Sequence, residues 1–170
     1  MKRLFLLLAV VLAFASCSYK FNGASIPPTM KTINVRFFEN RAPLVVPTLA
    51  QTFTEDLKER IRTQSRLSIT TGEADAIMEG EITGYDIKPI AFTDNRQPTA
   101  GANRLTITVS VTYTNNLDTG KVKTSFKETF SAFKDFTLSS GTLQSQEQAL
   151  IKQVNQQLTE NIFNRAFAQW

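Results

Sequence analysis

The sequence predicts an α+β fold in which two helices pack on one face of a mostly antiparallel, four- to five-stranded sheet. Three observations support this prediction. A segment with four-residue apolar spacing comes early, strand-like segments occupy the middle of the chain, and a second helical pattern ends it. The chain has 170 residues, of which 42% are hydrophobic and 20% charged, which is enough for one domain with its own core.

The first strand and the first helix are predicted from "KTINVRFF" and "PTLAQTFTEDLKERI". Period-two alternation predicts a strand whose core face carries Ile33, Val35 and Phe37. Phe38 then falls on the opposite face. The helix is expected to begin near Pro47, whose fixed φ suits a first helical turn. Its apolar stripe recurs every four residues, at Leu49, Phe53, Leu57 and Ile61.

After a short strand, "RLSIT", two longer segments predict strands with one buried and one solvated face. In "AIMEGEITGYDI", Glu79 and Glu81 share a face opposite Met78 and Ile82. A turn-rich break is expected over residues 93–103. The next segment, "RLTITVSVTYTNN", has the clearest alternation. Its apolar face consists of Leu105, Ile107, Val109, Val111 and Tyr113, and its other face consists of threonines and a serine.

The last strand and the second helix complete the predicted fold. "KVKTSFKETFSAFKDF" places Val122, Phe126 and Phe130 on the core face, opposite lysines, and leaves Phe133 and Phe136 as candidates for exposure. The helix is predicted from about residue 142 to residue 170, with Ser145 and Gln148 as a capping box. Its apolar stripe comprises Ile151, Val154, Leu158, Ile162 and Ala166. Phe163, Phe167 and Trp170 form a second stripe, in which the first two are expected in the core and Trp170 can serve either the core or a partner interface.

The residue inventory narrows the function classes. With no histidine and one cysteine, the chain lacks Ser-His-Asp and Cys-His catalytic sets and the commonest zinc ligands. Glu79 and Glu81 are the best candidates for acid–base chemistry, but no nucleophile or ligand set accompanies them, which favours a solvated sheet face. We therefore expect no enzyme activity, no catalytic residue, no metal site and no cofactor.

The N-terminus has the pattern of an export signal. Lys2 and Arg3 precede an apolar run of 12 residues, about 18 Å as a helix, which is short for a membrane span. Removing residues 1–16 changes the balance from 19 cationic and 15 acidic residues to 17 and 15, so the net charge falls from +4 to +2. That small charge gives little support to a nucleic-acid partner.

Cys17, the single cysteine, follows two small residues at the end of the apolar run. This arrangement resembles a bacterial lipobox, with Phe14 where leucine is usual. The resemblance implies cleavage before Cys17 and attachment of acyl chains to it, which anchor a protein stably when two or more are present. An ordinary secretory signal with a stray thiol is the alternative. We expect a signal peptide over residues 1–16, a lipidated tether over 17–30 and one domain over 31–170. In a lipoprotein, an aspartate after the lipidated cysteine favours retention at the inner membrane, whereas Ser18 favours the outer membrane. The residues after Cys17 contain no acidic run of the kind that directs lipoproteins to the cell surface, which favours a position facing the periplasm.

Taken in order, the lipobox, tether, strand, amphipathic helix, meander and long helix resemble the lipopolysaccharide-assembly lipoprotein family, LptE. The segments that carry the likeness are "CSYKFNGASIPP" followed by "KTINVRFFENRAPLVVPTLAQTFTEDLKERI", then "ADAIMEGEITGYDI" and "RLTITVSVTYTN". The resemblance implies a lipoprotein that plugs the β-barrel LptD, assists its assembly and helps deliver lipopolysaccharide to the outer leaflet. A polar, Thr-rich sheet face suits a polar barrel lumen.

Basic residues are the candidates for contact with lipopolysaccharide or with the partner, because their side chains can meet phosphate groups. They are Arg96, Arg104, Lys121 and Lys123. Lysines on an outward strand face can equally serve to prevent edge-to-edge aggregation. A different envelope role, as an adaptor or activator of a cell-wall synthesis or secretion complex, is the alternative function.

Overall fold

A computed structural model describes residues 26–44, 46–92, 99–118, 124–138 and 141–168. The strands are β1 (Thr32–Val35), β2 (Glu39–Asn40), β3 (Ser68–Ile69), β4 (Ala76–Phe92), β5 (Thr99–Asn115) and β6 (Phe126–Thr137). The helices are α1 (Leu49–Gln64) and α2 (Leu143–Phe167). Within these residues the α+β class and the two helices are confirmed, whereas the sheet is larger than predicted, with six strands.

The sheet is mixed, with the strand order β3-β1-β4-β5-β6 and with β2 also paired to β4. The β4–β5 and β5–β6 pairs are antiparallel, as the predicted meander requires. The pairs β1–β3, β1–β4 and β2–β4 are parallel. The prediction overlooked this parallel part because it arises from a crossover: α1 carries the chain from β2 back to the start of the sheet.

Both helices cover one face of the sheet, and they run parallel to each other. The hydrogen bonds between them follow one direction along both helices: Gln148 Nε2 donates to Thr48 Oγ1, and Arg60 donates to Thr159 Oγ1 and to the carbonyl of Gln156. The stripe from Leu49 to Ile61 and the stripe from Ile151 to Ala166 are buried at every predicted position, and so are Phe163 and Phe167. Every residue of the apolar face of β5 is buried as well. Between Ile82 and Gly84 a β-bulge shifts the β4 register, so that Tyr85 becomes the next buried residue after Ile82.

The two adjacent phenylalanines after β1 are placed the other way round from the prediction. Phe37 is 59% exposed, whereas Phe38 is fully buried. The alternation stops because β1 ends at Val35, and the backbone N–H of Phe38 then donates to Thr54 Oγ1 of α1. This contact turns Phe38 toward the core, where its ring lies directly against Gly80 of β4.

Other predicted boundaries also needed correction. Of the break predicted over residues 93–103, residues 99–103 belong to β5, because pairing with β4 and β6 prevails over the local turn propensity, and residues 93–98 lie outside the described residues. Phe133 is exposed as expected, but Phe136 lies on the core face and is buried. The cap of α2 is Thr142, whose Oγ1 accepts from the Ser145 N–H, so the Ser145 capping box is wrong.

The segment before β1 packs onto the domain. Ile26 and Met30 are buried, although the sequence assigns them to the tether, and Arg66 donates to the carbonyl of Ile26. Asp75 Oδ2 accepts from the backbone N–H groups of Lys31 and Thr32, at 2.8 and 2.9 Å. Among the described helices, neither is long and apolar enough to cross a membrane. Cys17, Val122 and Trp170 lie outside the described residues.

Candidate functional site: the open face of the sheet

The side of the sheet turned away from the helices is polar and accessible, and we call it the open face. On β5 and β6 it carries hydroxyl side chains in register, and Thr108 Oγ1 lies 3.3 Å from Ser131 Oγ. The hydroxyl residues of this face include Thr106, Thr108, Ser110, Thr112, Thr114, Thr129 and Ser131, all of them exposed or half-buried. Such a surface can exchange hydrogen bonds with a polar partner without burying apolar groups.

A concavity of about 350 Å³ opens on this face, between the β1–β2 segment and β6. Its charged lining residues are Arg36, Glu39, Arg41, Glu79, Glu81 and Lys127. Three cations balance three carboxylates, so this part of the open face is highly charged but has no net charge. Phe37 adds an exposed aromatic ring at the rim.

Ion pairs across neighbouring strands organise the concavity. Arg36 Nη1 lies 2.5 Å from Glu79 Oε2, and Arg41 Nε lies 3.1 Å from Glu81 Oε2. Each glutamate faces an arginine, and the side chains of Glu79 and Glu81 each remain 42% exposed. The two glutamates therefore belong to a solvent-accessible array of salt bridges, which confirms the interpretation of this side of β4 as a solvated sheet face. Lys127 has no ion-pair partner among the described residues.

Arg104, one of the predicted contact residues, lies further along the open face in a compact cluster. Its Nε and Nη2 donate to the two carboxylate oxygens of Asp135 at 2.6 and 2.9 Å, and its guanidinium stacks over the Phe133 ring at 3.8 Å. The hydrogen bonds from Arg104 hold the pKa of Asp135 below its ordinary value, and the same bonds raise the pKa of Arg104. Both groups therefore stay charged, and Nη1 remains outside the bidentate pair.

The other predicted contact residues, Arg96, Lys121 and Lys123, lie outside the described residues. Of the four candidates, the structure therefore describes the surroundings of Arg104 alone.

Arg36 and Arg41 were missed as candidates by the sequence reasoning. Their role depends on β1 and β2 pairing in parallel with β4, which places them beside Glu79 and Glu81. No local pattern signals such a pairing. Among the described residues, no group of three or more acidic, cysteine or histidine side chains could hold a metal ion.

Solved structures share this fold at low sequence identity. A hypothetical protein from Chlamydia trachomatis, CT253, matches with a TM-score of 0.54 and 10% identity over 82% of this chain and 99% of its own. Lipoprotein B from Nitrosomonas europaea matches with a TM-score of 0.52 and 12% identity over 79% of this chain and 80% of its own. The rare lipoprotein B from Shewanella oneidensis matches with a TM-score of 0.51 and 10% identity over 79% of this chain and 92% of its own. At such identities the likeness concerns the fold alone.

No curated protein sequence matches the chain. A family model does: the model described as LptE, lipopolysaccharide-assembly, matches residues 30–166. That range begins at the buried Met30 and includes the whole sheet, α1 and nearly all of α2. The chain therefore belongs to the LptE lipopolysaccharide-assembly family.

Proposed function

We propose that this chain is an outer-membrane lipoprotein, anchored through Cys17 and facing the periplasm. In this proposal it plugs an LptD-type β-barrel, assists assembly of the barrel and helps deliver lipopolysaccharide to the outer leaflet. It acts by binding and not by catalysis. Membership of the lipopolysaccharide-assembly family supports the general role, and the open face supports the binding mode.

The open face is the single observation that favours a barrel lumen as the docking place. Barrel interiors are polar and filled with water or with plugging segments. The open face offers hydroxyl rows and paired charges that can replace water at such a wall, while the apolar face of the same strands is already covered by α1 and α2. A balanced charge pattern also avoids the cost of bringing a large single-sign field into a confined space.

The proposed contacts with lipopolysaccharide are Arg96, Arg104, Lys121 and Lys123. For Arg104 the geometry suggests how a phosphate would be met. Its Nε and Nη2 are held by Asp135, so Nη1 is the nitrogen available to a phosphate oxygen, and Phe133 fixes the guanidinium plane. A lysine at this position would lose both the bidentate pair and the stacking.

Site-specific photocrosslinking in cells that make lipopolysaccharide tests the proposal. A photoreactive amino acid at Thr114, exposed on the open face, is expected to capture a large outer-membrane barrel. The same group at Gln157, exposed on the outer side of α2, is the matched control and is expected to give a much weaker barrel adduct. At Thr106, which pairs with Phe133, it is expected to capture lipopolysaccharide.

The same cells provide a second measurement, co-purification of the full chain after mild detergent extraction. A barrel in the eluate supports the proposal. A cell-wall synthase or a secretion subunit in place of the barrel would support the alternative envelope role, and equal barrel adducts from Thr114 and Gln157 would contradict docking through the open face.

A further inference from the structure

The outer edge of β6 is open. β6 is the last strand in the sheet order, and within the described residues its ladder runs only to β5. In an antiparallel strand successive residues direct their backbone N–H and C=O groups to alternate sides, so every second residue between Phe126 and Phe136 directs these groups away from β5. An edge of this length is a template for another strand unless its side chains prevent pairing.

The charges of β6 are arranged symmetrically about its middle residue. In "FKETFSAFKDF", a cation and an acid, Lys127 and Glu128, lie near the start, and a second cation and acid, Lys134 and Asp135, lie near the end. Ser131 is the centre. An antiparallel copy of β6 centred on Ser131 places Lys127 opposite Asp135 and Glu128 opposite Lys134, and this happens twice across the pair.

Neighbouring registers lose this match. If the pairing is centred on Ala132, Lys134 faces Phe130, and if it is centred on Phe130, Lys134 faces Phe126. Directly opposite residues of an antiparallel pair share one face of the sheet, so only a register centred on a residue keeps the open faces of both copies on the same side. The register centred on Ser131 is the one in which every charge of β6 meets an opposite charge.

We infer that two copies of this chain associate edge to edge through β6, in antiparallel register about Ser131. The twofold axis passes between the two copies of Ser131, perpendicular to the sheet. Pairing of the two β6 strands joins the two six-stranded sheets into one continuous sheet. The open faces of both copies then lie on one side, and α1 and α2 of both copies lie on the other. The inference concerns the purified chain and does not rest on the barrel partner.

The acids of β6 already form ion pairs with arginines, which leaves the two lysines of β6 without an acidic ion-pair partner in the described part of the same chain. Glu128 is bound by Arg165 of α2, and Asp135 is bound by Arg104 of β5. Lys127 and Lys134 have no ion-pair partner among the described residues. In the paired edges, each lysine of one copy lies beside an acid of the other, so the lysines that would otherwise prevent edge pairing instead select one register.

Apolar residues match in the same register. Phe126 faces Phe136 of the second copy on the helix side, and Phe130 faces Ala132 there. On the open face Thr129 faces Phe133, whose ring is 47% exposed in the single chain. Pairing therefore covers an exposed aromatic ring as well as satisfying an unpaired edge.

Cysteine crosslinking tests the register on the full chain in detergent. Residues directly opposite in an antiparallel pair have Cβ atoms about 4.5–5.5 Å apart, so the two copies of residue 131 can be bridged with little adjustment. Under mild oxidant, Ser131→Cys is expected to give a covalent dimer. Thr129→Cys, on the same face and strand, is the matched control, because its two copies lie about 13 Å apart. The parent chain controls for Cys17.

Charge reversal tests the association itself. Lys127→Glu with Lys134→Glu places acids opposite acids while leaving the Arg104–Asp135 and Arg165–Glu128 pairs intact. We expect the parent to have the mass of a dimer by light scattering and the double variant to dissociate at least about tenfold more readily. The control is the double variant Lys88→Glu with Lys152→Glu, which makes the same change in charge at two exposed residues outside β6. This control variant is expected to stay dimeric.

Two outcomes would overturn the inference: a parent chain that stays monomeric at the highest concentration measured, or equal disulfide yields at positions 129 and 131. Neither outcome affects capture of the barrel from Thr114. Conversely, absence of a barrel partner in cells leaves the dimer measurement unchanged, so failures of the two proposals are distinguishable.

Discussion

Replacing Phe38 with alanine is expected to remove a large part of the stability of the domain. The ring is fully buried, meets Phe53 edge-on at 5.1 Å between centroids and rests on Gly80. Phe→Ala changes in protein cores cost about 3–5 kcal/mol, and a glycine beneath the ring leaves no side chain to fill the cavity. We therefore expect a loss of about 4 kcal/mol from the free energy of unfolding, against a typical total of about 5–15 kcal/mol.

The adjacent residue is the matched control. Phe37→Ala removes the same atoms from a side chain that is 59% exposed, and the expected loss is within about 0.5–1 kcal/mol. Urea unfolding of both variants and the parent, followed by far-UV circular dichroism, measures the difference as a shift in midpoint at constant m-value. Equal losses for the two variants, or a larger loss for Phe37→Ala, would refute the placement of Phe38 in the core and of Phe37 outside it.

Three further predictions follow from other sites. Gly80→Ala is expected to lower the free energy of unfolding by about 3 kcal/mol, because the new Cβ would lie 2.1 Å from the carbonyl oxygen of Ser110 in β5. Gly72→Ala is the control, since the space around Gly72 is open, and it should change the free energy of unfolding by no more than about 0.5 kcal/mol. Equal urea midpoints for the two variants would contradict this prediction. The backbone N–H groups of Lys31 and then Thr32 lower the pKa of Asp75, so the stability that the ionised Asp75 contributes is present above about pH 4 and is lost as the pH falls through the lowered pKa. In Asp75→Asn the free energy of unfolding should therefore fall less steeply below about pH 4 than in the parent. The same pH dependence of unfolding in both proteins would count against this role of Asp75. Cys17→Ala is expected to abolish labelling by a fatty-acid probe and to release the protein from membranes, and unchanged labelling would refute lipidation at this residue.

Periodicity predicted the parts of the fold that depend on one segment at a time. The stripe from Leu49 to Ile61 and the alternation from Leu105 to Tyr113 are both buried as expected, because a helix or strand with one apolar face has only one stable way to meet a core. The Thr-rich side of β5 was predicted for the same reason, and with it the polar character of the open face.

Features that depend on contacts between distant segments were beyond the sequence patterns. The reversal of Phe37 and Phe38 depends on Thr54 of α1, which accepts a hydrogen bond from a backbone sixteen residues away. The Arg36–Glu79 pair depends on a parallel crossover that spans 43 residues. Both are tertiary contacts, and no local spacing encodes them. The pairing of Arg104 with Asp135 likewise depends on the β5–β6 register.

The docking of Ile26 against the domain sets the reach of the proposed anchor. Nine residues lead from Cys17 to Ile26, and a fully extended chain of that length spans at most about 32 Å. With acyl chains on Cys17, the end of the domain that holds Ile26 and Met30 would be confined to a layer of that thickness beside the bilayer. Confinement of this kind raises the effective concentration of a membrane partner, and lengthening the linker lowers it. The hydrogen bond from Arg66 to Ile26 thus bears on how often the domain meets its partner as well as on how it folds.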